Sequence, residues 1–224
     1  MIAVISDVHG NFPALEAVLG EIDNFGCQRI VSLGDVAGYY CYINECIDIL
    51  REKNVQNVLG NHDFYLVCNE KCPRSNSANL LLESQRKIIR ADNLEWLRRS
   101  VATFRIDAAS FVHGGWDDPL DEYMLDVNEE YFQNRGSRYY FSGHTHIQTL
   151  KIFNNALYCN PGSVGQPRDG DPRAAFALYD GQNVFLKRVD YDIDRVASKM
   201  QEYGYDDYFY KGLYTGDKIG HQVE

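Results

Sequence analysis

No apolar stretch of the 224-residue chain approaches the length of a membrane span. The first residues, Met1-Ile-Ala-Val-Ile-Ser6, lack the basic segment that precedes a signal-peptide core. These two absences point to a cytoplasmic protein. Cys-x-x-Cys pairs are missing too, although there are six cysteines: Cys27, Cys41, Cys46, Cys68, Cys72 and Cys159. Without a secretion signal they are expected to be buried or idle thiols rather than disulfides. Cys68 and Cys72 have the spacing of half a zinc site, but nothing supplies the other half. Basic residues are outnumbered, 22 against 32 acidic ones, for a net charge of −10. That balance excludes a surface built to coat nucleic acid, where Lys and Arg must neutralise phosphates. A small phosphate ester stays open as a ligand, because bound cations would reverse the local field. No linker, repeat or low-complexity tract divides the chain. One domain is expected over 1–224, with a Tyr-rich segment from about residue 203, and a homo-oligomer is left open.

The apolar pattern then gives elements. Ile2–Ser6, Arg29–Leu33 and Val55–Leu59 read as short buried strands. Between them lie a helix capped by Asn11, with Pro13 in its first turn, and a second helix opening at Asn44. This alternation predicts a parallel sheet with helical crossovers. Leu80–Arg90 and Asn93–Arg99 read as further helices, the second capped by Asp92. Candidate strands follow at Thr103–Ile106, Ser110–Val112, Tyr139–Ser142, Thr149–Phe153, Ala156–Cys159, Ala174–Tyr179 and Val184–Val189. They suggest an antiparallel half behind the parallel half, with one last helix near Ile193–Glu202.

Five of the six histidines fall in short polar motifs, each just after a strand. They are Asp7-Val8-His9, Gly60-Asn61-His62-Asp63, His113-Gly114-Gly115 and Gly143-His144-Thr145-His146, with Gly34-Asp35 a fifth motif that has no histidine. Open α/β sheets place ligand sites at that strand edge. Residues i and i+2 of a strand point the same way, so Asp7 with His9, and His144 with His146, can converge on one cation. Asp, Asn and His together suit manganese, iron or zinc rather than calcium. Singly, each residue could be a turn or cap residue; the ordered set of five is what a dinuclear metal site would need.

With those motifs in hand, the chain resembles the calcineurin-like metallophosphoesterases, whose signature reads D-x-H, G-D, G-N-H-[DE], H-x and G-H-x-H. The run from Asn160 to Arg168 is similar to the small single-domain bacterial and archaeal phosphodiesterase branch. The resemblance implies a four-layer α/β/β/α sandwich, with two mixed sheets face to face and helices outside. It also implies ligand sets. Asp7, His9, Asp35 and His146 would hold one ion, and Asp35, Asn61, His113 and His144 the second. The ions would be two divalent transition metals, manganese first, with iron, zinc, nickel or cobalt as alternatives. A bridging hydroxide would attack phosphorus directly, protonated His62 would donate to the leaving oxygen, and Asp63 would orient His62.

The expected activity is a metal-dependent phosphodiesterase on small organic phosphates. A dinucleoside-polyphosphate hydrolase, a phosphomonoesterase and a non-catalytic scaffold are the alternatives. Gly34-Asp35-Val36-Ala37-Gly38 lacks the arginine of the G-D-x-V-D-R-G pattern usual in protein Ser/Thr phosphatases. Relatives often read G-Y-G-P after the second motif, whereas Gly38-Tyr39-Tyr40-Cys41-Tyr42 stands here, so Tyr39 is a candidate to stack on a substrate or narrow the entrance. Arg168 and Arg173 are candidate phosphate contacts, with an ion pair to Asp169 or Asp171 as the competing reading. Arg74 has weaker support, and His221, in the polar tail, is expected to be inert.

Overall fold

The parallel pairing foreseen at the N-terminus forms the middle of the first sheet. In a computed structural model, which describes residues 1–220, Ile2–Ile5 (β1) runs parallel to Arg29–Ser32 (β2), with Ile2 opposite Arg29 and Ile5 opposite Ser32. Gln56–Asn57 (β3) continues the parallel set. Ala174–Tyr179 (β9) then adds to the other side of β1 in antiparallel register, and Val184–Val189 (β10) to β9. The second sheet holds Thr103–Ile106 (β4), Ala109–Val112 (β5), Tyr139–Phe141 (β6), Thr149–Ile152 (β7) and Leu157–Asn160 (β8), in the order β4-β5-β6-β8-β7. Its centre, β5-β6-β8, is parallel and its edges are antiparallel. Both sheets are therefore mixed. The late strands do not make a separate antiparallel half, because β9 and β10 return to cover the open side of β1.

Alternation along each strand builds three apolar layers. Val4, Ala177 and Tyr179 of the first sheet face Phe111, Phe141 and Cys159 of the second. Ala3, Ile5, Phe176 and Leu178 point outward, beneath the helices Phe12–Asn24 (α1), Ile43–Glu52 (α2), Asn76–Ile88 (α4), Ala91–Arg98 (α5) and Ile193–Glu202 (α6). The outer face of the second sheet is covered more thinly. There Tyr140 and Tyr158 pack on Phe132, Met124 and Trp116, from the irregular segment between β5 and β6 and its short 3-10 turn at Glu130–Phe132.

Local chemistry explains the helix starts. Asn11 caps α1, its Oδ1 accepting from Ala14 N at 3.2 Å. Ser75 does the same for α4, from Ala78 N at 3.1 Å, so that helix starts earlier than the apolar stripe alone suggested. The expected cap on α5 is not formed: Arg90 sits at that position, and Asp92 instead accepts from Arg51 at 2.5 Å. A helix without a sequence signal, Asn61–Cys68 (α3), begins inside the Gly-Asn-His-Asp motif. The six cysteines are all free. Among the described residues, no helix is long and apolar enough to cross a membrane. His221 lies outside the described residues.

Candidate metal centre

Five parallel strand ends deliver the motifs to one edge of the sandwich. β1 leads to Asp7 and His9, β2 to Asp35, and β3 to Asn61 at the start of α3. From the facing sheet, β5 leads to His113 and β6 to His144 and His146. All seven side chains are buried, with relative exposures between 0 and 4%. Six of them form two groups of three ligand atoms within 4.8 Å of one another: Asp7, His9 and His146, and Asp35, His113 and His144.

Backbone strain marks the same residues. Asp7, His9, Asp35, His144 and His146 all have φ between 52° and 65°, a region that disfavours side chains. Each such residue costs on the order of 1 kcal/mol or more and persists only where its surroundings impose it. Among the described residues, the other positive-φ residues that are not glycine are Asn54, Asn69, Asp107 and Asn134, all outside the two groups. Two glycines permit the close approach. A Cβ on Gly60 would lie 2.1 Å from Asp35 Oδ1, and one on Gly143 would lie 2.0 Å from Ser6 Oγ.

Hydrogen bonds outside the groups settle which atom of each residue faces inward. The Nδ1 atoms of His9, His113 and His146 face the carbonyls of Ala37, Leu33 and Gln166 at 2.8, 2.8 and 2.6 Å. A carbonyl only accepts, so each Nδ1 carries the proton and each Nε2 presents a lone pair. Those lone pairs converge. His9 Nε2 is 3.0 Å from His146 Nε2, and His113 Nε2 is 3.0 Å from Asn61 Oδ1 and 3.2 Å from His144 Nδ1. Asp7 Oδ2 accepts from Ser6 Oγ at 2.5 Å and from His144 N at 3.1 Å, which leaves Oδ1 without a partner, 3.3 Å from His146 Nε2. Asp35 Oδ1 accepts from His62 N at 2.8 Å, while Oδ2 stands 3.7 Å from His9 Nε2 and 3.5 Å from His113 Nε2. Acceptors thus face acceptors in a buried space, an arrangement that cations relieve. The mix of imidazole nitrogen with carboxylate and amide oxygen fits divalent transition metals.

The bare site carries the electrostatic cost of that geometry. Burial pushes the Asp7 carboxyl up to about 7 and Asp35 well above the usual carboxylate range. Burial also holds His9 and His146 well below the normal imidazole value, and His144 at about 2. A metal must therefore displace protons from the carboxylates, not from these histidines. Metal affinity is expected to fall as pH drops below about 7, by about tenfold per pH unit for the proton that the metal displaces from Asp7. Calorimetric titration with Mn²⁺ at pH 5.5 and 7.5 measures this; equal affinities would contradict it.

The residues proposed for substrate and proton transfer separate. His62, on the first turn of α3, lies edge-on to His9 with ring centroids 5.0 Å apart and lines a cleft of about 420 Å³ over the two groups. Its Nδ1 is buried without a partner among the described residues. Asp63 does not orient it. The Asp63 oxygens accept from Ala37 N at 2.8 Å and Gly60 N at 3.3 Å, pinning the loop after Asp35 to the start of α3. Tyr39 lines the cleft and touches both His9 and His62 (ring centroids 4.6 and 5.0 Å apart). Arg168 lines it too, its guanidinium 5.5 Å from the Tyr39 ring and bonded to Gln166 Oε1. Arg173 is not brought to the site: it pairs with Asp171 at 2.7 Å on an exposed loop. Aspartate two residues away competes for it more closely than any substrate would.

The supporting roles of Gln85 and Asn160 carry no signal in the sequence. Gln85 of α4, 2% exposed, accepts from Gly38 N at 2.8 Å and donates to the carbonyls of Gly38 and Tyr40, which shapes the Tyr39 loop. Asn160 donates to Gly143 O at 2.6 Å and Thr145 Oγ1 at 2.9 Å beneath the histidine loop. Gln85→Leu is expected to cost about 1–3 kcal/mol by leaving these buried backbone groups unpaired, read by urea denaturation. A neutral result would mean the loop holds itself. Tyr123, its ring 4.2 Å from that of His144, also lines the cleft, as do Arg74, Tyr208 and Lys218.

Comparison with known proteins places these features in context. A model of the calcineurin-like phosphoesterase superfamily domain matches residues 1–183. The chain is 34% identical to an uncharacterized protein of Methanocaldococcus jannaschii over 89% of this chain and 91% of that one. It resembles the crystal structure of a metallophosphoesterase from Sphaerobacter thermophilus with a TM-score of 0.83 and 30% identity, covering 96% of this chain and 99% of that one. A symmetrical bis(5'-nucleosyl)-tetraphosphatase of Neisseria gonorrhoeae is 26% identical over 89% of this chain and 72% of its own length.

Proposed function

Given that the chain belongs to the calcineurin-like phosphoesterase superfamily, we propose that it hydrolyses small organic phosphodiesters with the aid of two divalent transition-metal ions. The observation that carries this reading is Asp35 Oδ2, which faces His9 Nε2 of one ligand group and His113 Nε2 of the other at 3.7 and 3.5 Å. A single carboxylate oxygen so placed suits a bridge. Asp7, His9, Asp35 and His146 would hold one ion, and Asp35, Asn61, His113 and His144 the other. When bound, such a pair supplies Lewis acidity toward phosphoryl oxygens and a nucleophile at neutral pH.

The remaining steps belong to the protein. Arg168 reaches the cleft without a carboxylate partner among the described residues, and its planar guanidinium would orient the phosphoryl group. Tyr39 packs its ring against the His9–His62 corner of the cleft. His62 does not start as an imidazolium: burial, and then the charge of Arg168, hold it down at about 3. A neutral His62 would donate a hydrogen bond to the incoming phosphoryl oxygen. The negative charge of bound substrate favours its protonation, so transfer to the leaving oxygen would occur only within the complex. Manganese is the first choice of metal, and a cytoplasmic site of action is part of the same proposal.

The named tetraphosphatase relative favours a second reading, hydrolysis of dinucleoside polyphosphates at the same centre. Hydrolysis of bis-p-nitrophenyl phosphate, p-nitrophenyl phosphate and a dinucleoside tetraphosphate with added Mn²⁺ tests both. Turnover of the diester above the monoester supports the proposal, and preference for the tetraphosphate supports the alternative. Tight metal binding without turnover of any of the three would leave only a scaffold.

A further inference from the structure

The superfamily model ends at residue 183, but the cleft does not. Part of its wall is Tyr208, Lys218 and Ile219, from the segment after α6. That Tyr-rich segment does not lie across a sheet as a loose cover. Tyr210 and Leu213 are buried in the helical core beside α6, and Gln201 Nε2 donates to Tyr210 Oη at 2.7 Å. Gly216 O accepts from Gly170 N at 3.2 Å, which ties the segment to the loop that carries Arg168. The approach is tight: a Cβ on Gly216 would lie 2.6 Å from Asp171 N. Tyr208 Oη lies 3.3 Å from Ser77 Oγ at the start of α4. The segment is thus built into the cleft from three sides.

Two groups reach the cleft from this frame, and each has spare capacity. Tyr208 is 43% exposed, although its hydroxyl is near Ser77. Lys218 is exposed and has no ion-pair partner among the described residues, in a chain of net charge −10. Arg74, in the same wall, is already paired with Asp121. An aromatic ring and an ammonium without an ion-pair partner among the described residues, both lining the cleft, suit the part of the substrate that departs. A flat ring stacks on the phenol, and a second anionic group meets the amine.

We propose that Tyr208 and Lys218 form a leaving-group subsite for a nucleotide, a departing group that carries both a flat base and its own phosphate. The subsite rests on the hydrolytic reading above for its role, but its ligand chemistry can be tested separately. Calorimetry with the full-length, Mn²⁺-loaded protein would compare ADP and orthophosphate as probes of the wild type, Lys218→Gln and Tyr208→Ala. Both side chains are exposed, so the variants should fold, as circular dichroism would check. Each variant is expected to weaken ADP binding by about tenfold while orthophosphate binding stays unchanged. Unchanged ADP affinity in both variants would overturn the subsite, as would an equal loss for orthophosphate. If the wild type turned over no phosphodiester yet the variants still lost ADP affinity, the hydrolytic reading would fall and the nucleotide subsite would stand.

Discussion

Asp35→Asn is expected to remove the metal-dependent stabilisation of the protein and to reduce phosphodiester turnover by about 10³-fold or more, equivalent to roughly 4 kcal/mol of transition-state stabilisation. Asparagine keeps the shape and can still accept from His62 N through Oδ1, as the aspartate does at 2.8 Å. It loses the charge at Oδ2, the one oxygen that faces both ligand groups. Stability without metal should move the other way. Burial raises the Asp35 carboxyl well above its usual range, so asparagine removes a group that is costly to ionise there. The metal-free variant should melt at or above the wild-type temperature. A saturating metal stabilises the wild type by about 2.7 kcal/mol at a hundredfold excess over Kd, and the variant should show little of this. A variant that bound two ions with wild-type affinity would refute the bridging role.

His62→Ala is expected to separate binding from chemistry. None of the inward-facing atoms of the two ligand groups belongs to His62, whose Nδ1 is unpartnered among the described residues. Metal-induced stabilisation should therefore persist, while kcat falls by about 10²–10³-fold, the usual range for losing a proton donor. The loss should be smaller for p-nitrophenolate, which departs without protonation, than for an alkyl leaving group. A uniform loss across leaving groups would instead mean that His62 only stabilises charge. Because the free protein holds His62 at about 3, kcat/KM should show no descending limb at the ordinary imidazole value that depends on His62 as proton donor. Such a limb, lost in the alanine variant, would contradict the environment described for this side chain.

Much of this site was legible in one dimension because ligand chemistry is carried by residue type and spacing. Asp7-x-His9 and His144-x-His146 converge for a local reason, the period of a strand, and the small residues beside them are required by contact. The five motifs also sit where strand periodicity ends, which by itself places them on one edge of a sheet. The positions of β9 and β10 were not legible. Either could have joined either sheet, and the choice was made by the open flank of β1, a feature of the assembled sheet. α3 escaped notice because its first residues are themselves a motif and its apolar face is weak.

The sequence alone determined the α/β class, most strand positions and the residue types that converge at the strand ends, since these follow from periodicity and side-chain chemistry within a few residues. Tertiary structure alone decided what each polar group does. Asp63 was free to serve His62 or the backbone, and the 2.8 Å contact with Ala37 N assigns it to the backbone. Arg168 and Arg173 looked equivalent, but Asp171 takes one and leaves the other at the cleft. Hydrogen-bond partners are set by distances between segments far apart in the chain, and no local pattern encodes those distances.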